Sequence, residues 1–419
     1  MAKTVFLMLC LIVGNLIGAG ILALPINAGF CGFVPSLIAM LIFGGAMFFS
    51  AWVLGREATD EKLDTFNYPS LYRRYAGPVG MWVATIATLV ILYGLLTAYL
   101  TGATKILSDL LGVPASAHGL VMLGFFVVVA GFTSLPLRMM LALTALLVVV
   151  KLATFCGMTG LAEGYVQPDR LTRADWAFLP ASSAIILTAF HFHNIIPNIC
   201  RELKWNFGHV WKTILGGMIA GYLINATWIQ VSIGVIPMDD SPNGLLTAFA
   251  KNLPATVPMS HLVPSHAFVA GATLFAIAAI MTAFMSNGLG LRSFMRDLLV
   301  NQCRIQVRGL DSVLTFVPPL LVGYFYPDIF LKAIDVVGGV GIVTLFGILP
   351  SIIFIRKAAT WRTRALGWAV MALFAACLVI EICQETGLLS LRSDVEYWNE
   401  PATHSEHYAP PAGPDVGER

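Results

Sequence analysis

Apolar runs of about 20 residues, long enough to cross the hydrocarbon core of a bilayer as a helix, recur along this chain from its start to about residue 387. Backbone polar groups in lipid must find their partners within the protein, so spanning segments are helices or closed barrels. Runs of this length without two-residue alternation read as helices. Charge agrees with that reading. Only 11% of the 419 residues are charged and 58% are hydrophobic, whereas a soluble domain carries about 25% charged residues. An all-α polytopic membrane protein is therefore expected.

Eleven spans are predicted, at 4–29, 33–55, 79–103, 118–135, 137–161, 179–200, 209–236, 264–290, 311–325, 329–354 and 365–387. The ninth is short and holds Pro318 and Pro319. The apolar character of the first runs on through Pro25, so it reads as a retained helix rather than a cleaved signal. With the N-terminus in the cytoplasm, seventeen of the 25 basic residues fall on the cytoplasmic side and seven on the other, with Lys151 inside a span. The positive-inside rule supports that orientation and an external C-terminus. Residues 56–78 form a charged cytoplasmic connection expected to include a surface helix. Residues 237–263 form a proline-rich external loop. The polar tail 390–419 is expected to be disordered, with His404 and His407 solvated. The seven cysteines show no disulfide or zinc spacing.

Two spans carry residues that weaken a helix. The first reads VGNLIGAGILALPINAG over residues 13–29, with Gly14, Asn15, Gly18, Gly20, Pro25 and Asn27 in an apolar run. Unpaired backbone is tolerated in a membrane only where protein buries it or it lines a polar cavity. Glycines admit a ligand close to the backbone, and the N–H groups that open a half-helix favour an anion. Alone, the stretch fits equally well the close packing of helices through small residues. The sixth span, ILTAFHFHNIIPNICREL over 186–203, is interrupted by His191, His193, Asn194, Pro197 and Asn198. Paired interruptions at corresponding positions of two halves point to a transporter built from inverted repeats, with its site between them near mid-membrane.

These motifs also carry a resemblance. GNLIGAGILALP is similar to the first-helix motif of the hydroxy and aromatic amino acid permeases, and AFHFHNIIPNI to the sixth-helix motif of their tryptophan and tyrosine branch. ILYGLLTAYLTGATKIL, TAFMSNGLGLRSFMRDLL and FVPPLLVGYFYPDIFLKAI extend the match collinearly over nearly the whole chain. Asn15 stands where relatives carry a small hydroxyl residue, and His191 where the tyrosine permease carries glycine. The resemblance implies the five-plus-five inverted-repeat fold of the amino acid–polyamine–cation superfamily. Residues 1–161 would form the first repeat, 179–354 the second, and 365–387 an extra helix. It further implies that the N–H groups of Ile17, Gly18, Ala19 and Gly20 hold the substrate carboxylate, and that carbonyl groups at the two breaks hold the ammonium.

Lys151, in LLVVVKLATFC, lies deep in the fifth span. An ionisable residue at that depth is costly and is a functional candidate by default, although a long side chain can also reach the surface. By resemblance Lys151 matches a fifth-helix lysine that replaces a sodium ion in proton-dependent relatives. It is then expected beside the first break and Thr282 or Ser286 on the eighth helix. Proton coupling follows, with a proton gradient as the driving force and no cofactor. His191 and His193 fit three roles: bonding exposed carbonyls, contacting substrate, or relaying protons. Asp335 is a candidate for an outer gate and Glu381 for a structural role.

Tyr93, Phe190, Asn15 and Asn194 complete the candidate substrate set. The leading expectation is an importer of tryptophan or tyrosine in a bacterial-type inner membrane, with the amino acid and the lipid bilayer as partners and no nucleic acid. A serine/threonine or sodium-coupled carrier of the same fold is the near alternative. A membrane-embedded metalloenzyme using His191 and His193 is the distant one, but other spans supply no convincing third ligand. The chain has no GxxxxGK[ST] loop for ATP.

Overall fold

Most of the apolar runs fold as continuous helices; two are broken where glycine, asparagine, histidine and proline cluster. The computed structural model describes residues 2–62, 68–302, 304–305 and 307–388. The tail 390–419, with His404 and His407, lies outside the described residues. In chain order the helices are α1 (Ala2–Leu16), α2 (Ala19–Ala28), α3 (Phe33–Glu61), α4 (Tyr68–Leu111), α5 (His118–Thr133) and α6 (Leu137–Glu163). A short α7 (Pro168–Leu171) leads to α8 (Ser183–Ala189), α9 (Ile196–Glu202) and α10 (Phe207–Val235). Then follow α11 (Leu245–Ala250), α12 (Thr256–Leu262), α13 (His266–Asp297), α14 (Leu310–Phe325) and α15 (Phe330–Val336). A π-helical stretch, Val337–Ile348, joins α15 to α16 (Leu349–Lys357), and α17 (Trp361–Glu385) comes last. No strand occurs among the described residues.

Eight helical segments are long and apolar enough to cross a bilayer, and a ninth is added if α1 and α2, bent by 52°, count as one span. The two other predicted spans are shorter. One is α14, with 16 residues and both prolines inside it. The other is the pair α8 and α9, seven residues each. Large apolar side chains such as Leu41, Ile86, Leu120, Val127 and Leu223 stand exposed on the outer surface, as expected where lipid is the solvent.

Two connections are more structured than plain loops. In the segment 237–263, expected as an external loop, α11 and α12 fold. The connection 56–78 includes the expected helical segment, with Ser70, Arg73 and Arg74 exposed and the opposite face packed into the protein. Residues 68–76, the first part of α4, join the rest of that helix through a kink at Gly77, whose backbone (φ 66°, ψ −162°) favours glycine. Leu71 and Tyr72 are buried. Tyr68, Tyr72 and Tyr75 share one face by helical spacing. Their hydroxyls donate to His193 O at 2.5 Å, Leu345 O at 2.7 Å and Glu57 Oε2 at 2.7 Å. The tyrosine stripe is the inward face of an amphipathic helix, and it finds three partners inside the protein.

At the centre, α13 packs against both α6 and α4, and α2 against α8. The π-helical stretch lies against α4, α8 and α17. Gly338 allows that approach, since a Cβ there would strike Ala184 O. Glu381, buried on α17, packs over Gly339.

Candidate functional site

The first break leaves carbonyl groups without helical partners. Between α1 and α2, Gly18 adopts an extended backbone (φ −111°, ψ −155°). The carbonyls of Gly14 and Ile17 are taken up by Lys151, whose Nζ donates to them at 2.5 and 3.0 Å. Its third partner is Thr282 Oγ1 on α13, at 3.2 Å. An ammonium has three donors, and three neutral oxygens receive them here. Lys151 is 1% exposed, so it does not reach the surface. Ser286, one turn further along α13, stands on the cavity wall instead.

Four backbone N–H groups were expected to face the site, and one is committed elsewhere. Ile17 N donates to Val13 O at 3.1 Å, because α1 completes its last turn there. Gly18 is the N-cap of α2, which begins at Ala19. The first N–H groups of a helix lack intrahelical partners, so those of Ala19 and Gly20 open α2. Gly20 is also where the two breaks meet. A Cβ on it would stand 3.2 Å from the Cα and N of Ala189, the last residue of α8.

The second break is built differently. Phe190, His191 and Phe192 leave α8, a 3-10 turn covers His193–Ile195, and α9 follows. Because the backbone is broken, the rings of His191 and His193 do not diverge as on an α-helix. They lie parallel, 6.1 Å apart with 3° between planes. Phe346 from the π-helical stretch flanks both at 5.2 and 5.0 Å. His193 is fully buried and its Nε2 lies 3.1 Å from Met47 O. No group of three metal-ligating side chains forms among the described residues.

Two cavities meet between the breaks. One, of about 390 Å³, is walled by Gly14, Asn15, Gly18, Gly20, Lys151 and Thr282, with Thr188 and Tyr99 opposite. The other, of about 420 Å³, is walled by Ile91, Leu92, Phe294, Leu345 and Phe346, with Tyr68 and Asn194 at its rim. His191 and Asn287 belong to both. The arrangement offers backbone N–H groups and a lysine amine at one end and an apolar slot at the other. Such a mixture suits a small zwitterion with a bulky apolar side chain.

Several candidates lie elsewhere. Tyr93 lines neither cavity; its hydroxyl donates to Leu314 O at 2.5 Å. Tyr99, further along the same helix, takes the cavity wall. Phe190 packs on α3, 3.4 Å from where a Cβ on Gly44 would be. His193 and Ile17 line neither cavity. Asp335 on α15 accepts from Asn27 Nδ2 on α2, at 2.9 and 3.1 Å to its two oxygens, with both residues buried.

Tyr68, Tyr99, Asn287 and Phe346 were not singled out from sequence. Asn287 alone carried a signal, as a polar residue beside Ser286 in an apolar run.

Comparison with known proteins gives the family and the fold. The model of the tryptophan/tyrosine permease family matches residues 1–385. A tyrosine-specific transport system of Haemophilus influenzae is 30% identical over 342 residues, covering 78% of this chain and 82% of the relative. A tryptophan-specific transport protein of Shigella flexneri is 24% identical over 337 residues, covering 78% and 80%. In fold, the chain is similar to the crystal structure of a mutant manganese transporter from Eremococcus coleocola. The TM-score is 0.59 at 12% identity, over 95% of this chain and 88% of the other. The expectation of a carrier rather than an enzyme agrees with relatives that are all named for transport. Apolar helices in number, two broken ones around a shared cavity, and a match running through nearly every helix lead to one assignment: the chain is a multi-pass membrane protein that belongs to the tryptophan/tyrosine permease family.

Proposed function

We propose that this protein imports an aromatic amino acid, tryptophan or tyrosine, across a bacterial-type inner membrane in symport with protons. One observation carries the reading: Lys151 ties the carbonyls of the first break to Thr282 at the wall of a cavity that reaches the second break. The names of the relatives support the substrate class. In this reading the substrate carboxylate binds the N–H groups of Gly18, Ala19 and Gly20. The ammonium binds carbonyl oxygens at the breaks, and the side chain extends past His191 toward Ile91 and Phe346. Asn15 and Asn194 stand at the two ends of that path.

Lys151 takes the place of a bound cation. Protonated, it holds α1, α2 and α13 together through three oxygens. Deprotonated, it keeps fewer donors and no charge, and the break is free to rearrange. Loading and losing one proton per cycle then couples transport to the gradient. Residues 1–161 and 179–354 act as two inverted repeats, and 365–387 is an added helix. Eleven crossings place the N-terminus in the cytoplasm and the C-terminus outside, as the basic residues favour.

The test is uptake of labelled tryptophan into proteoliposomes with an inward proton gradient and no sodium. Unlabelled tyrosine, phenylalanine, serine and threonine serve as competitors. Gradient-driven uptake blocked by tyrosine and not by serine is the expected result. Uptake that requires sodium removes the coupling role of Lys151. Block by serine or threonine moves the substrate to the hydroxy amino acids.

A further inference from the structure

We propose that Asn287, with Tyr99 and His191 beside it, makes the site select aromatic side chains that carry a ring hydrogen-bond donor, an indole N–H or a phenol O–H, over a bare phenyl ring. The inference rests on the transport reading above and adds the group that reads the ring.

Asn287 is 4% exposed and, with His191, is common to both cavities. Its Nδ2 donates to Ala283 O at 2.9 Å and to the Tyr99 hydroxyl at 3.2 Å. A carbonyl only accepts, so the end of the amide facing Ala283 must be the NH₂ group. That fixes the amide: both its donors are used, and the remaining polar atom is an acceptor. Asn287 Oδ1 is buried and has no partner among the described residues. His191 Nε2 is buried and without a partner in the same way. The Tyr99 hydroxyl accepts from Asn287 and keeps its own proton to give.

Asn225 on α10 also leaves its amide oxygen buried and, among the described residues, unpaired, but it lines neither cavity. Asn287 belongs to the wall shared by the two cavities, beside the slot formed by Ile91, Leu92 and Phe346. An unpaired buried acceptor carries a desolvation penalty that a ligand donor relieves. A site built to bond a donor rejects an analogue that lacks it far more strongly than a site that reads shape alone. Tryptophan offers one donor and tyrosine a donor that also accepts; phenylalanine offers neither. Apolar walls alone would favour all three.

The experiment uses competition against labelled tryptophan in proteoliposomes carrying the full chain. Two pairs of competitors are compared: tryptophan with 3-benzothienylalanine, in which sulfur replaces the indole N–H in nearly the same shape, and tyrosine with phenylalanine. In the wild type the donor-less member of each pair should be weaker by roughly ten- to a hundredfold. In Asn287→Leu the two members should fall within about threefold of each other, with tryptophan losing most. Equal competition in the wild type overturns the inference without any variant being needed, and so does an Asn287→Leu protein that keeps the wild-type ratio. If Asn287→Leu does not fold, Asn287→Ser removes the same acceptor from its place with less crowding and must narrow the ratio. A wild type that imports tryptophan and fails these ratios leaves the transport reading intact. A wild type that takes up no aromatic amino acid removes both.

Discussion

The two broken helices have the same defect and opposite remedies. At the first, glycines strip the backbone bare, and the exposed carbonyls are held by an amine reaching in from α6. At the second, aromatic and imidazole rings crowd the gap, and the carbonyl of His193 is held by the hydroxyl of Tyr68. One break is closed by a group that can change its charge; the other by a phenol, which keeps its proton at neutral pH. The difference divides the labour. In the proposed mechanism the glycine break binds the charged end and responds to protons, while the aromatic break shapes a side-chain slot and stays put.

Four substitutions press on that contrast, ordered by expected effect. Lys151→Met keeps bulk and removes all three donors. Accumulation of substrate against its gradient should fall more than roughly a hundredfold, since each buried oxygen left unpaired costs about 1–3 kcal/mol. Exchange of labelled for unlabelled substrate should outlast it. Normal proton-driven accumulation by this variant would erase the distinction between the breaks.

Gly20→Val comes next. Its Cβ would already stand 3.2 Å from the backbone of Ala189, and overpacking of this kind costs about 1–3 kcal/mol. Binding of tryptophan, followed by scintillation proximity, should weaken at least about tenfold. Unchanged affinity would mean that the meeting of α2 and α8 is not where substrate sits. Tyr68→Phe removes one hydrogen bond from the second break, worth about 1 kcal/mol. A lower melting temperature with the same pH profile of uptake is expected. A shifted pH profile would show that the second break also answers to protons. Tyr93→Phe should do least, because its hydroxyl serves Leu314 and neither cavity. Competition constants should stay within about twofold, as for most substitutions away from a site.

Both breaks were legible in the chain because each concentrates helix-weakening residues where lipid would forbid them. Lys151 was legible for the same reason: a charge among valines and leucines demands a partner. What the sequence could not tell was facing. Tyr93 and Tyr99 lie on one helix, about 9 Å apart along its axis, yet only Tyr99 meets the cavity. Ser286 and Asn287 are neighbours, and a turn of about 100° per residue separates their directions. Which of them reaches the shared wall depends on how α13 is rotated against α4 and α6, and that is set by packing along its full length. Phe190 shows the converse. An aromatic residue at the break resembles a pocket wall in sequence, but the unwound backbone turns it onto Gly44 of α3.

The tyrosine stripe at the start of α4 has a consequence for how the protein is made. Tyr68 waits for a carbonyl 125 positions later in the chain and Tyr72 for one 273 positions later. Domains emerge from the ribosome N-terminal part first, so these hydroxyls are synthesised long before their acceptors exist. Until Leu345 has been inserted, the hydroxyl of Tyr72 has no acceptor and the segment can dock only in part. Its complete attachment is therefore among the last events of assembly, and it reports that the chain has been built nearly to its end. A protein truncated before the π-helical stretch should insert its early helices and still leave residues 68–76 open to protease.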